Sequence, residues 1–257
     1  MATATGSTAW GDGCVSSGLY TTCWGEANSA TFPRATVWGL ENTAGGNNAT
    51  AWGSGNEATG IQSTAWGAAN ISSGELSTTW GGENQASALT ATAWGAFCTA
   101  SGDNATSWGD RTTASGTDAT SWGSSTTASG VRSTAWGKNN FASGRFATAW
   151  GNNNKAESFA ETSLGQFGTM EVSFSIDTWV PEDRLFTIGN GTADGDRSDA
   201  VRIYKNGKST FSEGLGIGRD AELHALEVAG KASKDEPGAW IGHSDLRLKK
   251  NITSISS

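Results

Sequence analysis

The chain has 257 residues and a formal net charge of −8, and it combines 36 glycines and 13 tryptophans with only 3 prolines. So many indoles argue against disorder, which is poor in aromatics, and the acidic balance leaves no basic face for phosphates, so nucleic-acid binding is excluded. No apolar run approaches the roughly 18 residues of a membrane-spanning helix, and Met1 leads into small polar residues without the positive segment of a secretion signal.

From residue 8 to residue 165 a Thr-x-Trp-Gly pattern returns every fourteen residues without insertion. The tryptophans are Trp10, Trp24, Trp38, Trp52, Trp66, Trp80, Trp94, Trp108, Trp122, Trp136 and Trp150, with Leu164 in the twelfth place. Thr stands two before each and Gly directly after each. A period this strict marks stacked units that cannot bury a core singly.

Internal comparison separates fixed slots from free ones. The slot before Trp is small in nearly every unit, as in Ala9, Cys23, Ala51 and Ser107. Six after Trp stands Ala or Ser, and eight after stands Gly in eight of eleven units. Two glycines seven apart predict two turns per unit, separated by two short strands such as Ser63-Thr64-Ala65-Trp66 and Asn70-Ile71-Ser72-Ser73. Stacked at about 4.8 Å, twelve such coils form an all-β parallel roll roughly 55 Å long.

Strand alternation puts Thr and Trp on one face and the small residue between them on the other. The large apolar column is expected inside the roll, facing an Asn column four after Trp (Asn28, Asn42, Asn56, Asn70, Asn84) that ladders with itself. The Ala, Ser and Thr slots are then expected on the outside, where a symmetric oligomer covers them, with Cys23 at that contact. Cys14, Cys23 and Cys98 have neither zinc-site nor disulfide-framework spacing. The free slots, two, three, five, nine and ten after Trp, form the turns and their rims. Tyr20, Phe97, Phe141, Phe146 and Phe159 stand there, either packing neighbouring turns or offering a sugar- or surface-binding ledge.

Units such as Ser133-Thr134-Ala135-Trp136-Gly137 with Ala142-Ser143-Gly144 resemble the head repeat of trimeric autotransporter adhesins, Trp standing where those heads carry Ile or Val. The resemblance implies a left-handed parallel β-roll, a side-by-side homotrimer and an adhesive role.

After Gly165 the period stops, so residues 1–165 read as the repeat roll, 166–243 as a β-rich connector and 244–257 as a third segment. Thr169 to Ser175 alternates like a strand, ended before Pro181. Leu185 to Gly191 and Ala200 to Lys208 read as strands with Asn-Gly turns. Asp194, Asp196 and Asp199 lack the twelfth-position Glu of a calcium loop and read as a solvated turn, so no metal site is expected. His224 is a lone histidine with a structural role. No cofactor is expected.

The run His243-Ser244-Asp245-Leu246-Arg247-Leu248-Lys249-Lys250-Asn251-Ile252 resembles the opening of the intramolecular chaperone of endosialidases and related phage tail fibres. That resemblance implies self-cleavage between Ser244 and Asp245, with Ser244 as nucleophile and Lys249 as the base that activates it. Such chaperones extend well beyond the fourteen residues from Ser244 to Ser257, so this segment reads as a truncated start and the chain is not expected to act as an enzyme.

The two resemblances together imply a trimeric tail fibre on a virion or extracellular particle, holding a host surface glycan or protein and attached to an anchoring fibre or baseplate protein. A bacterial cell-surface trimeric adhesin is the alternative. From the residues alone, an ice-binding solenoid is a further one, and it requires the Thr column, and the Trp with it, to face outward. A polysaccharide-cleaving enzyme would need paired carboxylates, which the repeat does not mark.

Overall fold

A computed structural model describes residues 1–217 and 226–228. Met1–Ser212 form one compact unit and Glu213–Ser257 a second. Among the described residues every element is a β-strand, twenty-eight in all. In the first unit the repeat makes an all-β parallel solenoid of eleven coils, each contributing one long and one short strand, followed by a twelfth long strand. The long strands run from β1 (Thr8–Trp10) and β3 (Thr22–Glu26) to β23 (Thr162–Gln166), and the short ones from β2 (Val15–Ser16) to β22 (Lys155–Ala156). Each column stacks on itself, with Thr78 paired to Thr64 and Thr92, and Trp80 paired to Trp66 and Trp94.

The interior corrects the sequence expectation. The small residue before Trp points inward and is fully buried at Cys23, Val37, Ala51, Ala65 and their equivalents, whereas Trp and Thr point out. Cys23 therefore lies in the core rather than at a contact between chains. A fourteen-residue coil spends two stretches on turns, and the lumen left between its sheets holds four small side chains per coil, at one and three before Trp and four and six after it. An indole does not fit that section, so the largest apolar residue is excluded from the core by volume. Burial and the adjacent Cys14 thiol push the Cys23 thiol up to about 12, as expected of a packed, unreactive group.

The Asn column is inside, as expected, and it ladders. The side-chain amide of Asn56 donates to the Trp52 carbonyl at 3.0 Å and to the Gly67 carbonyl of the next coil at 2.8 Å. Its carbonyl oxygen accepts from the backbone and side-chain amides of Asn70, both at 3.0 Å. The ladder runs from Asn28 to Asn84, ends on the Cys98 amide, and resumes from Asn140 to Asn154. Where the column changes to Thr, its partner changes with it: Ser107 meets Thr112 and Ser121 meets Thr126, each at 2.8 Å. Every such pair keeps a buried hydroxyl satisfied.

The glycines act differently from expectation at one of their two positions. Gly67, directly after Trp66, has φ +113°, and a Cβ there would sit 2.2 Å from the Gly81 carbonyl oxygen. Gly60, eight after Trp52, has no left-handed backbone but has no room either, because a Cβ would meet the Gly74 oxygen at 1.9 Å. The left-handed turn residues are instead those three and ten after Trp, non-glycine in nearly every coil, such as Ala69 (φ 54°) and Gln62 (φ 56°). Hydrogen bonds between corners hold them, Ala69 N–H to the Ser54 carbonyl and Gln62 N–H to the Asn47 carbonyl. Such backbones cost about 1–2 kcal/mol each in isolation and persist because the stack over-determines them.

Beyond β23 the connector supplies one more rung. β24 (Arg184–Asn190) pairs in parallel with β23, placing Ile188 beside Leu164 and Gly189 beside Gly165, so the apolar column continues after the period has ended. β25 (Asp199–Tyr204) and β26 (Ser209–Phe211) then add antiparallel strands, joined by a turn at Asn206-Gly207. Thr169 to Ser175 is not a strand, despite its alternation. It folds back along the last coils, where Phe159 N–H donates to the Ser175 carbonyl and Arg145 N–H to that of Ile176. Asn190-Gly191 is not a tight turn, since the chain loops out and returns at Ser198. In the second unit β27 (Leu215–Ile217) pairs in parallel with β28 (Leu226–Val228).

Asn70→Ala is expected to lower stability by roughly 2–5 kcal/mol, because it strands the Trp66 and Gly81 carbonyls and the Asn84 amide in the core. Gly67→Ala is expected to cost roughly 2 kcal/mol or more, while Gly82→Ala, whose Cβ would meet nothing within 4 Å, leaves the midpoint unchanged. Urea unfolding followed by far-UV circular dichroism measures all three.

Candidate functional surface

The outward face of the long-strand sheet carries two parallel columns, Thr and Trp, at strand spacing. The indoles stack face to face along the solenoid: Trp108, Trp122 and Trp136 have ring centroids 4.9 and 4.8 Å apart with interplanar angles of 1°. Each stacked pair contributes about 0.5–1.5 kcal/mol beyond the area it buries. Stacking covers the ring faces and leaves the edges in water, so the indoles are half-buried along the middle and more exposed at the start, where Trp10 is 69% accessible. The stack opens once, between Trp24 and Trp38. An apolar cleft of about 320 Å³ lies there, lined by Thr22, Trp24, Thr36, Val37 and Trp38.

The opposite sheet presents mixed side chains five after Trp, from Val15 and Ser29 to Phe141 and Lys155. The corners carry the irregular slots expected there. Of the five candidate aromatics, Tyr20, Phe97 and Phe146 are exposed, and Phe141 and Phe159 are half-buried. Only Phe146 and Phe159 meet, edge to face at 5.6 Å. Phe97 lies on the other corner, beneath Arg111 at 5.2 Å. Tyr20 and Phe141 join neither pair.

The C-terminal end of the solenoid holds buried charges that the sequence does not mark. Glu161 occupies the core slot three before Leu164, where other coils carry Ala, Ser or Thr, and it is 1% accessible. Arg184 reaches it at 3.0 Å, and its second oxygen accepts the Glu157 and Ser158 amides at 2.9 Å. Asp183 and Lys205 form a second buried pair at 3.6 Å. Asp183 also accepts the Phe174 and Ser175 amides, which ties down the folded-back segment. These groups seal the last coil, whose interior would otherwise stand open. The sequence signal was available: an acidic residue in a slot that is elsewhere small and uncharged.

Burial pushes the Glu161 carboxyl up, against the opposing pull of Arg184, and pushes the Lys205 ammonium down, against Asp183. The three connector aspartates face different partners: Asp194 pairs with Arg197 at 2.5 Å, Asp196 accepts from Thr192, and Asp199 holds Thr169 N–H at 2.8 Å and Arg202 at 3.2 Å. Ser244, Lys249 and His224 lie outside the described residues. No protein-family model matches the sequence, and no curated protein matches it.

Arg184→Met leaves the Glu161 carboxylate without its partner and is expected to cost about 3–5 kcal/mol at neutral pH, most of it recovered by adding Glu161→Gln. A carboxyl raised on folding favours the native state once protonated. Its contribution is full below the ordinary glutamate range and is lost as pH rises through the raised value. The penalty of Arg184→Met should therefore shrink on acidification, and should not do so in the double variant, in urea titrations at neutral and acid pH.

Proposed function

We propose that this chain is one of three identical subunits of a fibre that binds a host cell surface, a phage tail fibre or similar particle-borne receptor-binding protein. The observation that carries this reading is the ribbon of exposed indole edges, unbroken from Trp38 to Trp150. Contiguous exposed apolar surface of this kind marks an interface, and a ribbon straight along the solenoid suits an axis parallel to it, around which identical ribbons meet. The adhesin-head resemblance supplies the number three and the left-handed sense of the roll, with Trp in place of Ile or Val along the contact.

With the Thr-Trp face turned to the axis, the variable corners and the short-strand face look outward, where irregular side chains suit a receptor, glycan or protein. The chaperone-like run from His243 to Ile252 favours a virion or particle over the bacterial cell surface, which is the alternative location. By the same resemblance, self-cleavage falls between Ser244 and Asp245, and an anchoring fibre or baseplate protein joins the chain to the particle.

A second reading has an observation in its favour. The Thr column does face outward at regular spacing, the condition an ice-binding solenoid requires. Eleven indoles beside it make the surface one that a second protein copy covers better than ordered water does.

Sedimentation equilibrium is expected to give three times the chain mass of 26.4 kDa. Trp108→Ser with Trp122→Ser is expected to shift the mass towards the monomer while the β-sheet circular dichroism persists, since both indoles lie outside the coil. A stable monomer with thermal-hysteresis activity would overturn the fibre reading in favour of the ice-binding one.

A further inference from the structure

Near the C-terminal end of the solenoid, one corner gathers aromatic rings and cations on a chain that is otherwise acidic. The Phe146 ring lies beneath two guanidiniums, Arg145 at 5.1 Å and Arg132 at 5.7 Å, and meets the Phe159 ring edge to face. The buried Lys205 ammonium lies 5.9 Å from the Phe159 ring and 5.6 Å from that of Trp179, so the six side chains form one continuous group. Trp179 belongs to the segment that folds back on the coils and is 52% accessible.

The members differ in what they leave free. Arg132 is engaged by Asp118 at 3.3 Å, and on the other corner Arg111, above Phe97, is committed to Asp110 at 2.8 Å. Among the described residues Arg145 has no carboxylate within ion-pair distance, although its side chain is exposed. Its backbone N–H is fixed by the Ile176 carbonyl at 2.7 Å and its guanidinium rests on the Phe146 ring. A planar cation held in one place with its donors unspent is suited to a carboxylate, which it can grip through two parallel hydrogen bonds. In the same group of side chains, joined to Arg145 through Phe146, Phe159 and Lys205, the half-exposed Trp179 indole offers an apolar plate to the C–H face of a sugar ring.

We propose that Arg145 and Trp179, supported by Phe146, Phe159 and Lys205, form a binding ledge for a carboxylate-bearing pyranose of a surface polysaccharide. This rests on the reading of the chain as a surface-binding fibre and names the class of its receptor. The net charge of −8 disfavours an acidic ligand over most of the chain, and at the ledge Arg132 and Lys205 are matched by Asp118 and Asp183, so the attraction rests on Arg145. Uronic acids and sialic acids share the required chemistry of a ring carboxylate next to an apolar C–H face.

The test uses the full chain in its native oligomeric state and calorimetric titration with three probes: a glucuronate-containing oligosaccharide, an oligomer of N-acetylneuraminic acid, and an uncharged N-acetylglucosamine oligomer. At least one acidic probe is expected to bind and the uncharged one not. Arg145→Gln and Trp179→Ala are each expected to weaken binding about tenfold or more with the melting temperature unchanged, whereas Arg111→Gln on the other corner has no effect. Equal binding of the uncharged oligomer, no binding of either acid, or unaltered binding by both ledge variants overturns the proposal. Cell-binding assays separate the two levels. Cells held as well by the ledge variants as by the unaltered chain remove the ledge and keep the fibre, while a monomeric chain that binds no cells removes the fibre reading itself.

Discussion

Every structural feature of the solenoid depends on one constraint, that each residue lies in parallel register with the residues fourteen positions away. Columns must therefore stack on themselves, and a slot accepts a residue type only if that type tolerates its own copy one strand spacing above and below. Glycines after Trp meet the next coil's carbonyl, Asn satisfies Asn, and indole stacks on indole. The corners obey the same rule through their backbones alone, which is why nearly any side chain can occupy a left-handed turn position there.

The narrow lumen adds a second constraint that sorts residues by volume. Because four small side chains fill each coil, hydrophobic burial per residue is modest, and the interior gains much of its stability from satisfied polar groups. The Asn ladder and the Ser-Thr pairs join one coil to the next or one side of a coil to the other, and they satisfy most of the buried donors, the Thr79 and Ser133 hydroxyls being exceptions. The indoles, excluded from the core, are left as a surface feature whose faces are covered within the chain and whose edges stay exposed. Stability within a chain and the proposed association between chains thus use different columns of one repeat.

Ends are the weakness of such a design, since the last coil exposes a polar lumen and an unpaired rung. Here the connector closes that end by adding a rung of its own, with Ile188 and Gly189 continuing the columns, and by packing charges in place of small residues. The same closure brings the segment around Trp179 against the corner bearing Phe146 and Phe159. The cap and the candidate ledge are accordingly one piece of structure, and its elements come from sequence positions as far apart as Arg132 and Lys205.

The sequence by itself determined the period, the parallel register, the two turns per coil, the Asn ladder and the variable corners, because each follows from a repeat that is strictly in phase with its own hydrogen bonding. It also determined that Thr and Trp share a face opposite the small slot, but strand alternation has no sign, and which face turns inward was decided by the cross-section of a fourteen-residue coil. A signal for the correct choice was present in the pairing of Ser107 with Thr112 and of Ser121 with Thr126, slots that change together because they face each other across the lumen. Only the tertiary structure set the thirteenth rung, the loop at Thr169 to Ser175 and the buried ion pairs, since these come from residues brought together after periodicity has ended and local alternation no longer reports which neighbour a strand will find.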